Sequence, residues 1–466
     1  MTRHTAPRFD LVSSRSALRI ARFGIVAAGL LLAGSGFAQP QGTPPTAPPP
    51  DPTPRPTATP IQIPSLPLGL VTFPNGKAFN LNVGMGSALH RNPNDPAGRV
   101  WMLTDRGPTI ECAEARRLFG QEPDALCPGQ RNGRVYPLSG FAPSIYGAEI
   151  GPDNVARIHS FLPLKGKSGK PVSGRPPAAP NGKNESAFAM DGKPLPHDPS
   201  GVDPEAIVRL SDGSFWIAEE FGPSLLQVGA DGTILKRLVP NGTAADFRDA
   251  DYDVQASLPG IMRQRANNRG FEGLALSPDE RFLFVMMQSP LANPDIETFR
   301  RSRHVRIWKV AIESGEAVAQ YLYELDEPKA FGGDTDSRER GQNVVMVSEI
   351  ATISEDRLLV QERIDRTTRI FVITLQDDSL VPRLFDNPDY GPGLEWMEAD
   401  KLALRGIRPL EKQLILDTDS ISSFPAKIEG MALLSPQELL LINDNDFGME
   451  GVRTQMFRVT LPRPIR

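Results

Sequence analysis

The chain has few of the side chains that enzymes use as nucleophiles or as soft metal ligands: its 466 residues include two cysteines and five histidines. That scarcity speaks against a zinc site of the Cys/His type. There is no Gly-x-Ser-x-Gly elbow, no His-Glu-x-x-His, no Gly-x-x-x-x-Gly-Lys and no Gly-x-Gly-x-x-Gly, so the usual signals for serine hydrolases, zincins and nucleotide-binding loops are absent. His90, His159, His197 and His304 fall in loops or on mixed strands, which gives a serine-type triad little support. Helical periodicity is nowhere sustained over several turns, and this disfavours an α-solenoid.

No apolar run reaches the roughly 20 residues that a membrane-spanning helix needs. The run from Phe23 to Ala33 is preceded by Arg15, Arg19 and Arg22 and followed by Gly36-Phe37-Ala38, the layout of a secretory signal over residues 1–38 with cleavage before Gln39. A periplasmic or secreted protein with no integral membrane segment after cleavage is therefore expected. Residues 39–67 are dominated by Pro and Thr and read as an extended spacer, leaving residues 68–466 as the folded domain. Basic residues are also in deficit, 51 against 56 acidic for a net charge of −5. Signal cleavage removes five arginines and one aspartate, which makes the mature chain more acidic still. A nucleic-acid partner is excluded on that ground, since phosphate backbones need clustered Lys and Arg. In an oxidising compartment Cys112 and Cys127 most simply form one disulfide, contributing roughly 3 kcal/mol in the loop-entropy model.

What the chain does have is self-similarity. Phe271-Glu272-Gly273-Leu274-Ala275-Leu276-Ser277-Pro278-Asp279 leads into Phe282 to Val285, and near-copies start at Pro204-Glu205, Ser348-Glu349 and Ile428-Glu429. Each copy is a Glu, a short β-branched or aromatic run, a Ser-Pro-Asp or Ser-Asp-Gly type turn, a second run and a polar end, which is the pattern of a β-hairpin. A further strand or pair of strands follows most copies, giving units of about four strands. The fold class read from this is all-β: a β-propeller of about six four-stranded blades, with five or seven left open and with Gly84 to Pro108 as a divergent first unit.

In a propeller, equivalent positions of every repeat converge on the central channel. The ends of the second strands gather Asp105 and Arg106, Glu219 and Glu220, Gln288, Glu362 and Arg363, and Asn443, Asp444 and Asp446. The first strands add a ring of Glu205, Glu272, Glu349 and Glu429. Converging carboxylates stay ionised only if cations or arginines offset their repulsion. Oxygen donors with almost no His or Cys suit Ca²⁺, with Mg²⁺ second, over zinc. The metal-ligand set read from the pattern is Asp105, Glu219, Glu220, Asp444, Asp446, Glu272 and Glu429. The catalytic set is Glu219, Glu220 and Glu362, with Arg106 and Arg363 binding an anionic group and stabilising developing charge.

Leu103-Thr104-Asp105-Arg106-Gly107, Asp203-Pro204-Glu205-Ala206-Ile207 with Trp216-Ile217-Ala218-Glu219-Glu220, Phe271-Glu272-Gly273 with Gln288-Ser289-Pro290-Leu291, and Ile428-Glu429-Gly430-Met431 with Asn443-Asp444-Asn445-Asp446-Phe447-Gly448 resemble the phytase-like family described by its esterase-like activity of phytase. The resemblance runs from about residue 70 to the end. It implies a propeller that hydrolyses phosphate or carboxylic esters. Likeness to calcium-dependent propeller phytases would imply a Ca²⁺-activated water acting on a small anionic ester, in a monomer. Lysines are not visibly gathered at the same mouth, and this argues against phytate itself. Two other readings stay open: a non-catalytic binding propeller for a periplasmic partner or carbohydrate, and a lactonase-like metal propeller.

Overall fold

The Ser-Pro-Asp turn forms as its chemistry dictates. Ser277 Oγ donates to Asp279 Oδ1 over 2.6 Å and accepts the amide of Phe282 over 2.9 Å, closing a hairpin between Phe271–Leu276 and Phe282–Met287. In the neighbouring copy Asp212 Oδ1 takes the Ser214 amide over 2.8 Å, and Gly213 supplies the φ of 92° that a side chain would resist. The computed structural model in which these hairpins sit describes residues 54–465 except 131, 179–183 and 336–340. The signal expected at 1–38 and the first part of the expected spacer lie outside the described residues.

Five antiparallel hairpin-based sheets of four strands or more follow one another. Blade 1 runs Ala88–His90, Arg99–Leu103, Ser144–Ile150, Ala156–Pro163. Blade 2 runs Pro204–Arg209, Phe215–Glu219, Ser224–Val228, Ile234–Pro240, with Asp253–Leu258 added in parallel at its edge. Blade 3 runs Phe271–Leu276, Phe282–Met287, His304–Ala311, Ala317–Glu324. Blade 4 runs Met346–Thr352, Arg357–Arg363, Thr368–Thr374, Lys412–Asp417. Blade 5 runs Ile428–Ser435, Glu438–Asn443, Met456–Thr460 and takes its last strand, Thr57–Ile61, from the start of the described chain. The first strand of each blade touches that of the next, and the series returns from blade 5 to blade 1.

Among the described residues the blade count is thus five, the lowest of the numbers left open. Long insertions lie between the second and third strands of blade 1 and between the last two strands of blade 4. The spacer is also shorter than expected. From Pro54 the chain is described, and Thr57–Ile61 pairs with Met456–Thr460 from Thr57 opposite Thr460 to Ile61 opposite Met456. Proline is tolerated there because the strand is at a sheet edge, where one row of amides needs no partner.

The buried apolar side chains form several clusters between blades, one of them running through blades 2 to 4, so a domain of this length needs no single centre. Trp216 and Trp308 are fully buried among the strands of blades 2 to 4. The blade 1 insertion and the segment between blades 1 and 2 fold together into a small cap: a three-stranded sheet of Ala187–Phe188, Arg134–Val135 and Ile110–Glu111, two short helices, and the disulfide Cys112–Cys127. Its apolar side packs on Phe73, Phe79 and Met449.

Candidate metal and ester site at the channel mouth

One irregularity repeats around the ring and decides which side chains meet. Where the first and second strands pair, the register slips by one residue at Pro204/Ala206, Phe271/Gly273, Val347/Glu349 and Ile428/Gly430. The extra residues are Glu205, Glu272, Ser348 and Glu429. A bulge leaves its extra residue out of the ladder and re-aims its side chain. Glu349 is therefore the partner of Gln361, in register with Ala206, Gly273 and Gly430, and Ser348 holds the place equivalent to the three glutamates. Pairing in blade 1 begins at Ala88 with Leu103, which puts Ser87 at the same level.

The same registers align the second-strand ends. Asp105, Glu220, Gln288, Arg363 and Asp444 lie two residues beyond the equivalent pairs, and Thr104, Glu219, Met287, Glu362 and Asn443 one residue beyond. Successive strand residues point to opposite faces, so only the first group goes with the bulged residues. Adjacent acids that the sequence groups together are thereby separated.

Glu219 belongs to the blade interior. Its Oε2 receives Arg237 Nη2 at 2.5 Å, Ser224 Oγ at 3.0 Å and the Gly222 amide at 3.1 Å, and its Oε1 receives the amides of Asp203 and Phe221 at 3.1 Å each. Both it and Arg237 are fully buried. Glu362 is occupied likewise by Tyr323 Oη and Lys412 Nζ, both at 2.5 Å, and by the Asp326 amide at 2.9 Å. Both were expected at the site; in the structure every oxygen of each already accepts at least one hydrogen bond inside its own blade. Glu349 is also apart: its Oε1 accepts the Ile350 amide at 3.0 Å, its Oε2 has no partner, and burial raises its pKa well above the usual carboxyl value.

The mouth itself is acidic. One oxygen each of Asp105, Asp203 and Glu205 lie within 4.8 Å of one another. Asp203 was not among the expected ligands, although it sits two residues before Glu205 at the entry to blade 2. Burial, with Glu429 and Asp446 adding like charge, pushes Asp105 up to about 7 against the pull of Arg106 and the Gly107 amide. Burial also raises Asp203, Glu205 and Glu272 well above the carboxyl range, and each feels further acids of the cluster. Glu205 and Glu272 have no base within ion-pairing distance among the described residues. Glu220 Oε1, Gln288 Oε1 and Ser87 Oγ are buried and have no partner in the protein. Carboxyls kept from ionising by burial and by one another, beside orphaned oxygen acceptors, are what a hard divalent cation would relieve.

The expected anion-binding arginines are already committed. Arg106 is buried and holds Glu185 and Glu220 at 2.7 Å each, Asn268 Oδ1 at 2.6 Å, and Asp203. Arg363 donates to Glu429, to Ser348 Oγ at 2.6 Å and to the Ile364 carbonyl at 2.9 Å. Both position carboxylates, so their charge is already countered within the protein. Asp446 is drawn off in the same way: both its oxygens lie 2.5 Å from Lys427 Nζ, and Lys427 holds its pKa below the usual value although burial opposes this. The turn Asp444 to Glu450 is thus an ion-paired loop, with Glu450 bound to Arg117 of the cap. The cap reaches the site through Glu185, which joins Arg106 to Arg134 at 2.8 Å and Tyr136 at 3.1 Å.

A family model described as "Phytase-like: Esterase-like activity of phytase" matches residues 82–447. An "Uncharacterized secreted protein" of Arthroderma benhamiae is 35% identical over 104 residues, a stretch that covers 20% of this chain and 20% of that protein. Among solved structures, the PQQ-bound aldose sugar dehydrogenase of Streptomyces coelicolor aligns with 87% of this chain and 98% of its own, at 10% identity and a TM-score of 0.32. The Dos1 propeller aligns with 83% of this chain and 72% of its own, at 9% identity and a TM-score of 0.28. Superpositions this loose place no activity on the chain.

Proposed function

Since the chain belongs to the phytase-like family defined by esterase-like activity of phytase, we propose that it is an exported, metal-dependent hydrolase acting as a monomer on small anionic esters, phosphoesters foremost. The observation that carries this reading is the carboxylate triplet Asp105, Asp203 and Glu205 beside the unpartnered Oε1 of Glu220. The triplet would hold the ion, Ca²⁺ in first place because all donors are carboxylate oxygens and Mg²⁺ second because it demands a stricter octahedron. When bound, the ion would supply a Lewis-acidic charge that polarises the ester and makes water easier to deprotonate.

The protein's own groups divide the remaining work. Glu220 has one oxygen fixed by Arg106 and the other free, so it is placed to take a proton from water as the water oxygen bonds to phosphorus or acyl carbon. The ester bond then breaks and the leaving oxygen takes up a proton. Glu272, whose burial favours its protonated form, is the neighbour suited to give it. Export rests on the signal-like leader and accords with the secreted relative; among the described residues no helix is long and apolar enough to cross a membrane. The test is a panel of phosphomonoesters, aryl esters and sugar lactones assayed with added Ca²⁺. Turnover of esters that a chelator abolishes is expected, whereas ring opening of lactones alone would replace this reading with a lactonase.

A further inference from the structure

Arg106, Arg134, Arg363 and Lys427 at the mouth each hold at least one carboxylate. Arg269 does not. Its Nη1 donates to the neighbouring Asn268 carbonyl at 2.8 Å, its Nε is buried without a partner, and among the described residues no carboxylate oxygen lies within ion-pairing distance of it. Glu220 and Glu272 are still near enough for their charge to be felt, and burial pulls its pKa below the usual arginine value.

The backbone holds Arg269 in this place. Asn268 adopts a φ of 52° and is tied through its side chain to Arg106. Gly270 presses on the backbone of Glu220 so closely that a Cβ there would lie 2.4 Å from the Glu220 carbonyl oxygen, and its own carbonyl takes the Gln288 amide at 2.9 Å. The loop is thus clamped between two members of the channel ring, and Arg269, partly exposed, stands between them with donors to spare.

We infer that Arg269 binds the anionic group of the substrate, and that the mouth accepts an ester carrying one such group and disfavours a polyanion. This rests on the hydrolase reading above. A guanidinium with unused donors is suited to phosphoryl or carboxylate oxygens. The preference for one group follows from the surroundings, because Arg106, Arg134, Arg363 and Lys427 are already ion-paired, so a second or third phosphate would meet the acidic side chains Asp105, Glu205 and Glu272 and, among the described residues, no further unpaired guanidinium.

The experiment compares wild type, Arg269→Gln and Arg269→Lys, all kept in Ca²⁺ and checked for an unchanged melting temperature. The probes are para-nitrophenyl phosphate, neutral para-nitrophenyl acetate, and calorimetric binding of inorganic phosphate and inositol hexakisphosphate. Arg269→Gln is expected to raise KM for the phosphate ester and weaken inorganic phosphate binding about tenfold or more, as loss of a charge-assisted contact should. Hydrolysis of the neutral ester should stay unchanged, and Arg269→Lys should recover part of the loss. Equal effects on the neutral and anionic esters, or unchanged phosphate binding in folded Arg269→Gln, would overturn the role of Arg269. Hexakisphosphate binding far more tightly than inorganic phosphate would overturn the single-group preference. If wild type turns over neither ester, the hydrolase reading falls, and phosphate binding alone decides the case for Arg269.

Discussion

Glu219 and Glu220 are neighbours in sequence with opposite surroundings, and the difference is measurable. Glu219 is the counter-charge of a guanidinium with no exposed surface, so Glu219→Gln leaves Arg237 buried with only neutral partners. The expected result is a loss of about 3–5 kcal/mol in urea denaturation. Glu220→Gln keeps the shape of the side chain and removes the proposed base, so turnover should fall by about 10²–10⁴. Glu349 gives a test by pH. Its folded-state pKa is raised by burial, so the unfolded chain releases this proton first, and stability falls as pH rises above the unfolded value of about 4.3. Glu349→Gln should flatten that decline, giving a gain in melting temperature that is larger at pH 8 than at pH 5. A gain independent of pH would mean that the carboxyl is not held protonated in the fold.

At the scale of elements, the hairpins were legible because a Ser-Pro-Asp turn states its geometry in its residues. The site was legible only in part, because face depends on register and register here depends on bulges. The bulges at Glu205, Glu272, Ser348 and Glu429 leave no mark in the hydrophobic pattern, so Glu349 looks like a member of a ring to which Ser348 belongs. Asp203 and Arg269 were missed because they sit on loops entering blades 2 and 3, where no repeat copy points to them. The Cys pair was legible from its spacing. The disulfide closes a separation of 15 residues inside the cap, and the cap steadies Arg106 through Glu185. Cys112→Ser with Cys127→Ser should lower stability by roughly 3 kcal/mol and weaken cation binding as well; a purely local role would leave the latter untouched.

At the scale of the whole molecule, a ring of five blades brings together side chains from five distant parts of the chain. The all-β architecture was visible in the repeat, whereas the blade count was obscured by the insertions in blades 1 and 4 and by the last blade's borrowing of Thr57–Ile61. The central claim is that the acids at one mouth of this ring form a cation site on which ester hydrolysis depends. The most direct measurement is a calorimetric Ca²⁺ titration of wild type and Glu205→Gln, run beside the rate of phosphate release from a phosphomonoester at each Ca²⁺ concentration. The account predicts saturable binding in wild type, phosphate release that rises in step with occupancy, and loss of both in a Glu205→Gln variant that remains folded. Phosphate release at full rate in the presence of a chelator, or Ca²⁺ binding unaffected by Glu205→Gln, would contradict it.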